Sequence, residues 1–346
     1  MKLLSPVSRV YEVQKVIEEG ADEIYCGVLT PIWHDSYIGV SINRRPDARA
    51  SFKTFEELQQ TVEIAHSYNK PVYFTMNQQY YTEKQYPEVL DYVEKALKLG
   101  VDGFIVGSLD LLLTLNKMDV NTKIIVSTTG AAFNSEAVNF YRELGANRVI
   151  LPRHLTLKEI ASIAKNTSDV ELEVFILNSR CPNVEGYCTF LHGLATPKNE
   201  GLYKNACMLP YKVTVIDSGS GLDVGKAIRR QKIWEQIHMD SAPCGVCALY
   251  ELNEIGITGV KIIGRDNPPW KKVIDVIFVR MLLDFLERQK PSKELFRVVA
   301  KQLYAQYKAF LINRSSSPET LHMLTVGCSE ENPCRACTCY FPEVMV

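Results

Sequence analysis

Short apolar segments alternate with amphipathic helical patterns along the first 265 residues of the chain. In "TFEELQQTVEIAHSYNK" and "YPEVLDYVEKALKLG" the apolar positions recur every three or four residues, which is typical of a helix with one buried face. Segments that are apolar on both faces are typical of parallel strands covered by helices. We therefore predict strands at 23–28, 71–76, 103–108, 123–128, 148–152, 172–177 and 260–264, with "KLLSP" at the N-terminus as a further strand.

Four segments place a glycine at the end of a helical pattern, directly before a strand: "EEGADEIYCG", "KLGVDGFIVG", "ELGANRVILP" and "EIGITGVKIIG". Gly20, Gly100, Gly145 and Gly256 are expected to end their helices in the left-handed conformation. Eight strands separated by helical patterns within about 265 residues favour a (β/α)8 TIM-type barrel. An open α/β sheet is the alternative.

The alternation of strands and helices is interrupted after the seventh strand. Residues 178–247 form a cysteine-bearing excursion within a predicted barrel domain of residues 1–270. Residues 271–313 carry two long amphipathic patterns, which predict helices that close the outer layer. Residues 314–346 combine a Ser- and Pro-rich linker with a cysteine-rich tail.

Polar residues at the ends of the predicted strands are candidates for a site, because barrel chemistry is found at the C-terminal ends of the strands. Most of them are expected to be ordinary strand-end residues. They are Ser5, Cys26, Asn77, Ser108, Ser127, Thr128, Arg153, Asn178 and Arg265.

Charge and hydropathy exclude some classes of protein. Lys and Arg total 39 against 40 for Asp and Glu, so no global basic field attracts a polyanion. No segment approaches the length of apolar sequence needed to cross a membrane, and the N-terminus lacks the apolar core of a secretion signal. We expect a cytosolic protein without membrane insertion.

The ten cysteines point to metal or redox chemistry, because disulfide frameworks are rare in a reducing compartment. Cys181, Cys188, Cys207, Cys244 and Cys247 fall in or beside the excursion. Thiolates are good ligands for zinc and for iron–sulfur clusters, and Gly186 allows the backbone to turn between the first two. The spacing does not choose the metal, and buried free thiols are the alternative.

A second group of thiols lies in the tail sequence "CSEENPCRACTCYF". Cys328, Cys334, Cys337 and Cys339 are candidate ligands for a second cluster or a zinc ion. A zinc-stabilised tail without chemistry, or thiols that pair only on oxidation, are the alternatives.

Arginines near the predicted mouth are candidates for binding an anionic small molecule. Arg44 and Arg45, together with Arg153 and Arg265, could clamp a dicarboxylate through paired hydrogen bonds from the guanidinium group. Surface salt bridges are the alternative for each of them. Tyr25, Tyr73 and Tyr80 either line this cavity or pack in the core.

Several segments together resemble peptidase family U32, the collagenase-like family. They are "LLSP", "EGADEIYCG", "HSYNKPVYFTMN", "LGVDGFIVGS", "STTGAAFNSEAVNFYRELGANRVILPR", "CPNVEGYC", "NACMLP" and "CALYELNEIGITGVKIIGR". The resemblance covers residues 1 to about 267. It implies a TIM-type barrel that holds a 4Fe-4S cluster, and Cys181, Cys188, Cys207 and Cys247 match its cysteine ligands. Cys244 is an alternative to Cys247.

The family includes oxygen-independent hydroxylases of a tRNA uridine, an rRNA cytidine and the ubiquinone ring, with prephenate as the implied oxygen donor. By this resemblance we predict a hydroxylase that binds a small anionic donor and acts on tRNA, rRNA or an aromatic ring, alone or with a homologous partner subunit. The candidate catalytic residues are Arg153, Asn77 and Arg265, and the candidate substrate-binding residues are Arg44, Arg45, Thr128 and Tyr73.

Three positions depart from the family pattern. Asn178 replaces a glycine, Ile263 a glutamate and Thr129 a glutamine. These changes predict either a different substrate or a non-catalytic iron–sulfur partner subunit. A peptidase is the other alternative, although the sequence offers neither a nucleophile–base pair nor a zinc-protease motif.

Overall fold

The computed structural model describes residues 1–37, 41–45, 48–118, 121–178, 181, 183–188, 225 and 245–314. Most of the predicted excursion, including Cys207 and Cys244, lies outside the described residues. The tail with Cys328, Cys334, Cys337 and Cys339 lies outside them as well.

Eight parallel strands form a closed barrel in sequence order. Strand β8 pairs with β1, with Lys2 opposite Gly259, so the last strand closes the ring. The predicted barrel is confirmed, and the open sheet is wrong. The strands are β1 Lys2–Pro6, β2 Glu23–Cys26, β3 Val72–Met76, β4 Gly103–Val106, β5 Lys123–Val126, β6 Arg148–Ile150, β7 Glu171–Leu177 and β8 Gly259–Ile262.

Helices cover the outside of the barrel. In the described part of the chain they are α1 Val10–Glu18, α2 Pro31–Ser36, α3 Phe55–Ser67, α4 Tyr86–Lys98, α5 Leu109–Lys117, α6 Ser135–Glu143, α7 Leu157–Lys165, α8 Leu249–Ile255, α9 Pro269–Gln289 and α10 Lys293–Arg314. None of these helices combines the length and apolar character that a membrane span requires.

Local signals explain where several helices begin and end. Thr54 and Thr156 start α3 and α7 with capping boxes, in which the threonine oxygen accepts from a backbone N–H three residues on. Gly20, Gly100, Gly145 and Gly256 all have φ between 82° and 110°. This left-handed conformation confirms their predicted role in turning the chain towards the next strand.

The core has two parts, set by the two faces of each strand. Outward-facing residues such as Leu3, Val174 and Val260 pack beneath the helices in one large cluster. Inward-facing residues fill the barrel itself as a smaller cluster of Leu4, Tyr25, Tyr73, Ile105, Ile125 and Ile150, with Phe175 against it. The alternation follows from the two-residue period of a strand.

Charged side chains fill the barrel at the N-terminal ends of the strands. Arg148 is fully buried, and its guanidinium lies 2.6 Å from Glu23 and 2.8 Å from Glu173. Glu171 completes the set at 2.6 Å, and the Tyr73 hydroxyl donates to Glu23 at 3.0 Å. This ionic base supports the barrel on the side opposite the mouth.

A second buried polar network attaches the C-terminal helices to the end of β7. Asp275 of α9 accepts from Lys271 at 2.8 Å and from the Tyr307 hydroxyl of α10 at 2.6 Å. Asn178, directly after β7, donates to Asp275 and to the carbonyl of Ile263. The two C-terminal helices are therefore tied to the edge of the mouth.

Candidate active site at the barrel mouth

A cavity opens at the C-terminal ends of the strands. Its floor is formed by five inward-facing strand residues: Tyr25, Ile105, Ile150, Phe175 and Lys261. Most of these also belong to the inner core cluster, so the cavity begins where the packed barrel interior ends. Ligands bind in this position in barrel proteins generally.

The cavity wall is strongly basic. Among its described lining residues, Arg44, Arg45, Arg153, Arg265 and Lys261 carry positive charge, while Glu185 is the single carboxylate. The whole chain has a formal net charge of −1, so this excess of positive charge is local. A basic pocket with low-dielectric walls favours an anionic ligand.

Arg265 is held in place by neutral groups. Its guanidinium donates to Thr75 Oγ1 at 2.7 Å and to the Asn43 carbonyl at 2.8 Å. Burial lowers its pKa to about 10, since the charge is desolvated there. Burial and the neighbouring charge of Arg45 also lower the pKa of Arg44. Both effects mean that an anion in the cavity would be attracted by incompletely balanced charges.

Arg153 is paired with Glu185. The carboxylate accepts from the Arg153 backbone N–H at 2.8 Å and from Nε at 3.1 Å, and the guanidinium also stacks 4.9 Å from the Phe175 ring centroid. Burial alone would raise the pKa of Glu185, but the Arg153 charge and hydrogen bonds outweigh it and hold the pKa below its usual range. The pair fixes the loop that carries Glu185 against the mouth.

The described part of this loop brings two of the predicted ligands to the cavity. Cys181 and Cys188 both line its wall. Gly186 between them has a φ of 84°, and a Cβ there would lie 2.5 Å from Cβ of Ala131. The positive φ confirms the predicted turn at Gly186. A glycine is needed there because neither the backbone conformation nor the surroundings accommodate a side chain.

The two thiols fit a metal-binding role chemically. Burial and the nearby Glu185 raise the pKa of Cys181 to about 11, and its Sγ donates to the Asn183 carbonyl at 2.9 Å. Cys181 is therefore a thiol at neutral pH unless a cation displaces the proton.

Cys247 lies in a 3₁₀ turn, Val246–Ala248, and packs against the outer core cluster. The turn is anchored to β7, since the Gly245 N–H donates to the Ile176 carbonyl at 2.8 Å. Within the described residues, no three His, Cys, Asp or Glu side chains are grouped as a metal site. Because Cys207 lies outside those residues, the four-cysteine set stays a prediction.

Other predicted site residues are divided between the cavity and the core. Asn77, Ser127 and Thr128 line the cavity with the arginines. Tyr73 instead lies in the barrel interior, where its hydroxyl donates to Glu23 and is turned away from the mouth. Asn178 belongs to the network with Asp275.

The remaining candidates lie in the core, at the start of a helix or on the surface, and not in the cavity lining. Cys26 is packed in the outer core, and burial raises its pKa to about 12. Ser108 caps α5 by accepting from the Leu111 N–H at 3.4 Å. Ser5 is fully buried, and Tyr80 is 64% exposed.

Sequence reasoning missed several cavity residues. Glu185, Lys261, Asn43 and Thr75 all line or support the mouth. The two-residue alternation along β8 could have identified Lys261, since it is the charged member of an otherwise apolar strand. Nothing in the local sequence indicates that Glu185 pairs with Arg153, because that contact depends on the folded loop.

Two of the three departures from the family pattern lie on the cavity wall, namely Thr129 and Ile263. The third, Asn178, has a φ of 92°. This left-handed conformation explains why a glycine is usual there, and Asn tolerates it better than most residues. Two of the positions predicted to depart from the family pattern therefore lie where a ligand in the cavity would contact them.

The fold and the cavity define the class of protein first: a (β/α)8 barrel with a basic, thiol-bearing cavity at its C-terminal mouth. The model of peptidase family U32 matches residues 8–319. The chain belongs to this family, which confirms the resemblance seen in the sequence.

Two curated relatives and one solved structure illustrate the likeness. The tRNA hydroxylation protein P of Haemophilus influenzae is 27% identical over 240 residues, which cover 69% of this chain and 48% of the relative. An uncharacterized protease of Methanocaldococcus jannaschii is 32% identical over 196 residues, covering 54% and 43%. The structure of the U32 peptidase Mk0906 overlaps with 51% of this chain and 69% of its own at 17% identity and a TM-score of 0.41. The chain thus spans about half the length of the curated relatives it matches.

Proposed function

We propose that this chain is a hydroxylase of the U32 family that modifies a nucleobase in tRNA, using a small anionic donor bound in the cavity. The observation that carries the proposal is the cavity wall, where five basic side chains stand against one carboxylate beside Cys181 and Cys188. Family membership and several relatives named tRNA hydroxylation proteins support the substrate class.

The thiols would hold an iron–sulfur cluster, with Cys181, Cys188, Cys207 and Cys247 as the ligand set that the family resemblance implies. When bound, such a cluster supplies electron transfer. The chain's own residues would bind the donor: Arg265 and Arg44 attract its carboxylates, and Arg153, fixed by Glu185, orients the cysteine loop next to it. Prephenate is the donor that the resemblance suggests.

A peptidase is less well supported by the described cavity. Its lining residues include no histidine, and the only carboxylate among them is neutralised by Arg153. Ser127 and Thr128 therefore have neither a histidine nor an unpaired carboxylate beside them in the described lining. The peptidase stays the second candidate function.

The cluster is tested by anaerobic purification with iron and sulfide assays. We expect iron and sulfide in the wild-type chain and their loss in Cys181→Ala. Cys26→Ala is the matched control, because Cys26 is a buried cysteine of the outer core and should leave the iron content unchanged. Zinc without iron in both wild type and Cys181→Ala would contradict the cluster.

The activity is tested in a deletion strain by measuring hydroxylated uridine in bulk tRNA by mass spectrometry. We expect the modification to be lost and to return with the wild-type gene but not with Cys181→Ala. If the deletion leaves tRNA hydroxylation unchanged while the purified chain carries iron, the tRNA substrate is wrong, and rRNA or a partner-subunit role takes its place.

A further inference from the structure

Lys261 occupies an unusual position for a lysine. It lies in the middle of β8, faces the barrel interior and is 4% exposed. Its Nζ lies 4.0 Å from the Tyr25 ring centroid and 3.6 Å from Oε1 of Glu173. Its partners in register on the two neighbouring strands, Leu4 and Phe175, are apolar and also face the barrel interior, yet Lys261 forms part of the cavity floor. A lysine at the bottom of a ligand cavity can react with what the cavity holds.

Burial favours the neutral amine of Lys261. Burial lowers its pKa to about 8; Glu173 opposes this shift, while Arg148 and Arg265 add to it. A substantial fraction of the side chain is therefore unprotonated in mildly alkaline solution. A desolvated lysine beside other cations is the kind that acts as a nucleophile towards carbonyl compounds.

The arginines above the amine indicate which kind of carbonyl compound would bind. Arg265 and the other arginines of the wall attract carboxylates, whereas Lys261 lies below them in the floor. A molecule that carries a carboxylate next to a ketone could place the first on the arginines and the second at the amine.

From this geometry we infer that Lys261 forms an imine with a 2-oxo acid bound in the cavity. Nζ of the neutral amine adds to the ketone carbon, both of its protons move in turn to the former carbonyl oxygen, and that oxygen leaves as water as the C=N bond forms. No oxidant or reductant is needed, and hydrolysis reverses the step. The inference rests on the proposed function in that it gives the anionic donor a chemical class.

The experiment traps the imine by reduction. The full chain is incubated at pH 8 with pyruvate or 2-oxoglutarate and sodium cyanoborohydride, and peptide mapping by mass spectrometry locates the reduced adduct. We expect one adduct, on Lys261, and its loss in Lys261→Arg, which keeps the charge but removes the nucleophile. Acetone, which has the ketone but no carboxylate, should leave Lys261 unlabelled.

Lys272 provides the matched control. It is equally buried and its pKa is also lowered, chiefly by burial, but it bonds to Glu12 at 2.7 Å and to Ser8 at 2.8 Å and does not line the cavity. The Lys272→Arg variant should keep the adduct on Lys261. No adduct on wild-type Lys261, or labelling spread equally over surface lysines, would overturn the inference. Because the site is mapped in the wild-type chain, this holds even if Lys261→Arg misfolds.

Trapping requires neither iron nor RNA, so the two proposals fail separately. A chain that contains iron and hydroxylates tRNA but gives no adduct leaves the proposed function intact and removes the imine. A chain that forms the adduct without binding iron keeps the imine and removes the cluster.

Discussion

Arg148 shows that a single side chain can determine whether buried carboxylates are tolerated in this barrel. Glu23 and Glu173 are at most 2% exposed, and both lie within 2.8 Å of its guanidinium. Burial alone would raise the pKa of Glu23, but hydrogen bonds and charge from Arg148 more than offset this and lower it. Glu23 is therefore present as a carboxylate ion in the folded state at neutral pH.

Replacing Arg148 with Met should leave these buried carboxylates without their nearest countercharge, at a cost of about 3–5 kcal/mol in the free energy of unfolding. Lys123→Met is the control: Lys123 also contacts Glu171 but is 36% exposed, so its loss should cost about 1 kcal/mol or less. Urea denaturation at neutral pH measures both. Equal losses in the two variants would contradict the role of Arg148.

The same substitution predicts a pH dependence. Because the folded pKa of Glu23 is lowered, its contribution to stability is present above the ordinary glutamate pKa and is lost as pH falls through the lowered value. The difference in the free energy of unfolding between wild type and Arg148→Met should therefore become smaller as the pH falls. If this difference in the free energy of unfolding stayed constant down to acid pH, the ion pair would not be the cause of the lost stability.

At the scale of single elements, the conformation of the loop between Cys181 and Cys188 depends on the backbone of one residue, Gly186. Gly186 and Gly256 have nearly the same positive φ, 84° and 88°, but only Gly186 is crowded, by Ala131. Alanine at either position should incur the left-handed backbone cost of about 1–2 kcal/mol. Only Gly186→Ala should also push the loop away from the cavity.

Thiol alkylation of the iron-free chain measures this displacement. We expect iodoacetamide to modify Cys181 faster in Gly186→Ala than in wild type, and at the wild-type rate in Gly256→Ala. Unchanged protection of Cys181 in Gly186→Ala would mean that the loop does not depend on the contact with Ala131.

The strands and helix ends could be predicted from the sequence, because apolar runs, capping threonines and helix-ending glycines act locally. The residues that line the cavity were harder to predict from the sequence. Asn77, Thr128, Arg153 and Arg265 were predicted from their places at strand ends, and Arg44 and Arg45 as a basic pair in one connecting segment. Tyr73 lies too early in β3 to reach the mouth. Glu185 was missed because its surroundings arise only when the cysteine loop folds onto Arg153, whereas Lys261 was missed although the alternation along β8 pointed to it.

At the scale of the whole molecule, the polar network around Asp275 connects three distant parts of the chain. Tyr307→Phe removes the hydroxyl that donates to Asp275 and should lower the free energy of unfolding by about 1.5–3 kcal/mol, as for a buried hydrogen bond to a charged group. Tyr11→Phe, at a position 73% exposed, should change it by less than about 0.5 kcal/mol. Thermal denaturation of both variants checks the difference, and equal melting temperatures would contradict the network's contribution.

The pairing of the first strand with the last also affects how the protein is made. A ribosome that has released only the first seven strands has produced a sheet with two unpaired edges, because the partner of β1 begins at Gly259. Unpaired strand edges invite association with other chains. Nascent chains shorter than this length should therefore need protection from chaperones, and that need should end once the eighth strand has emerged.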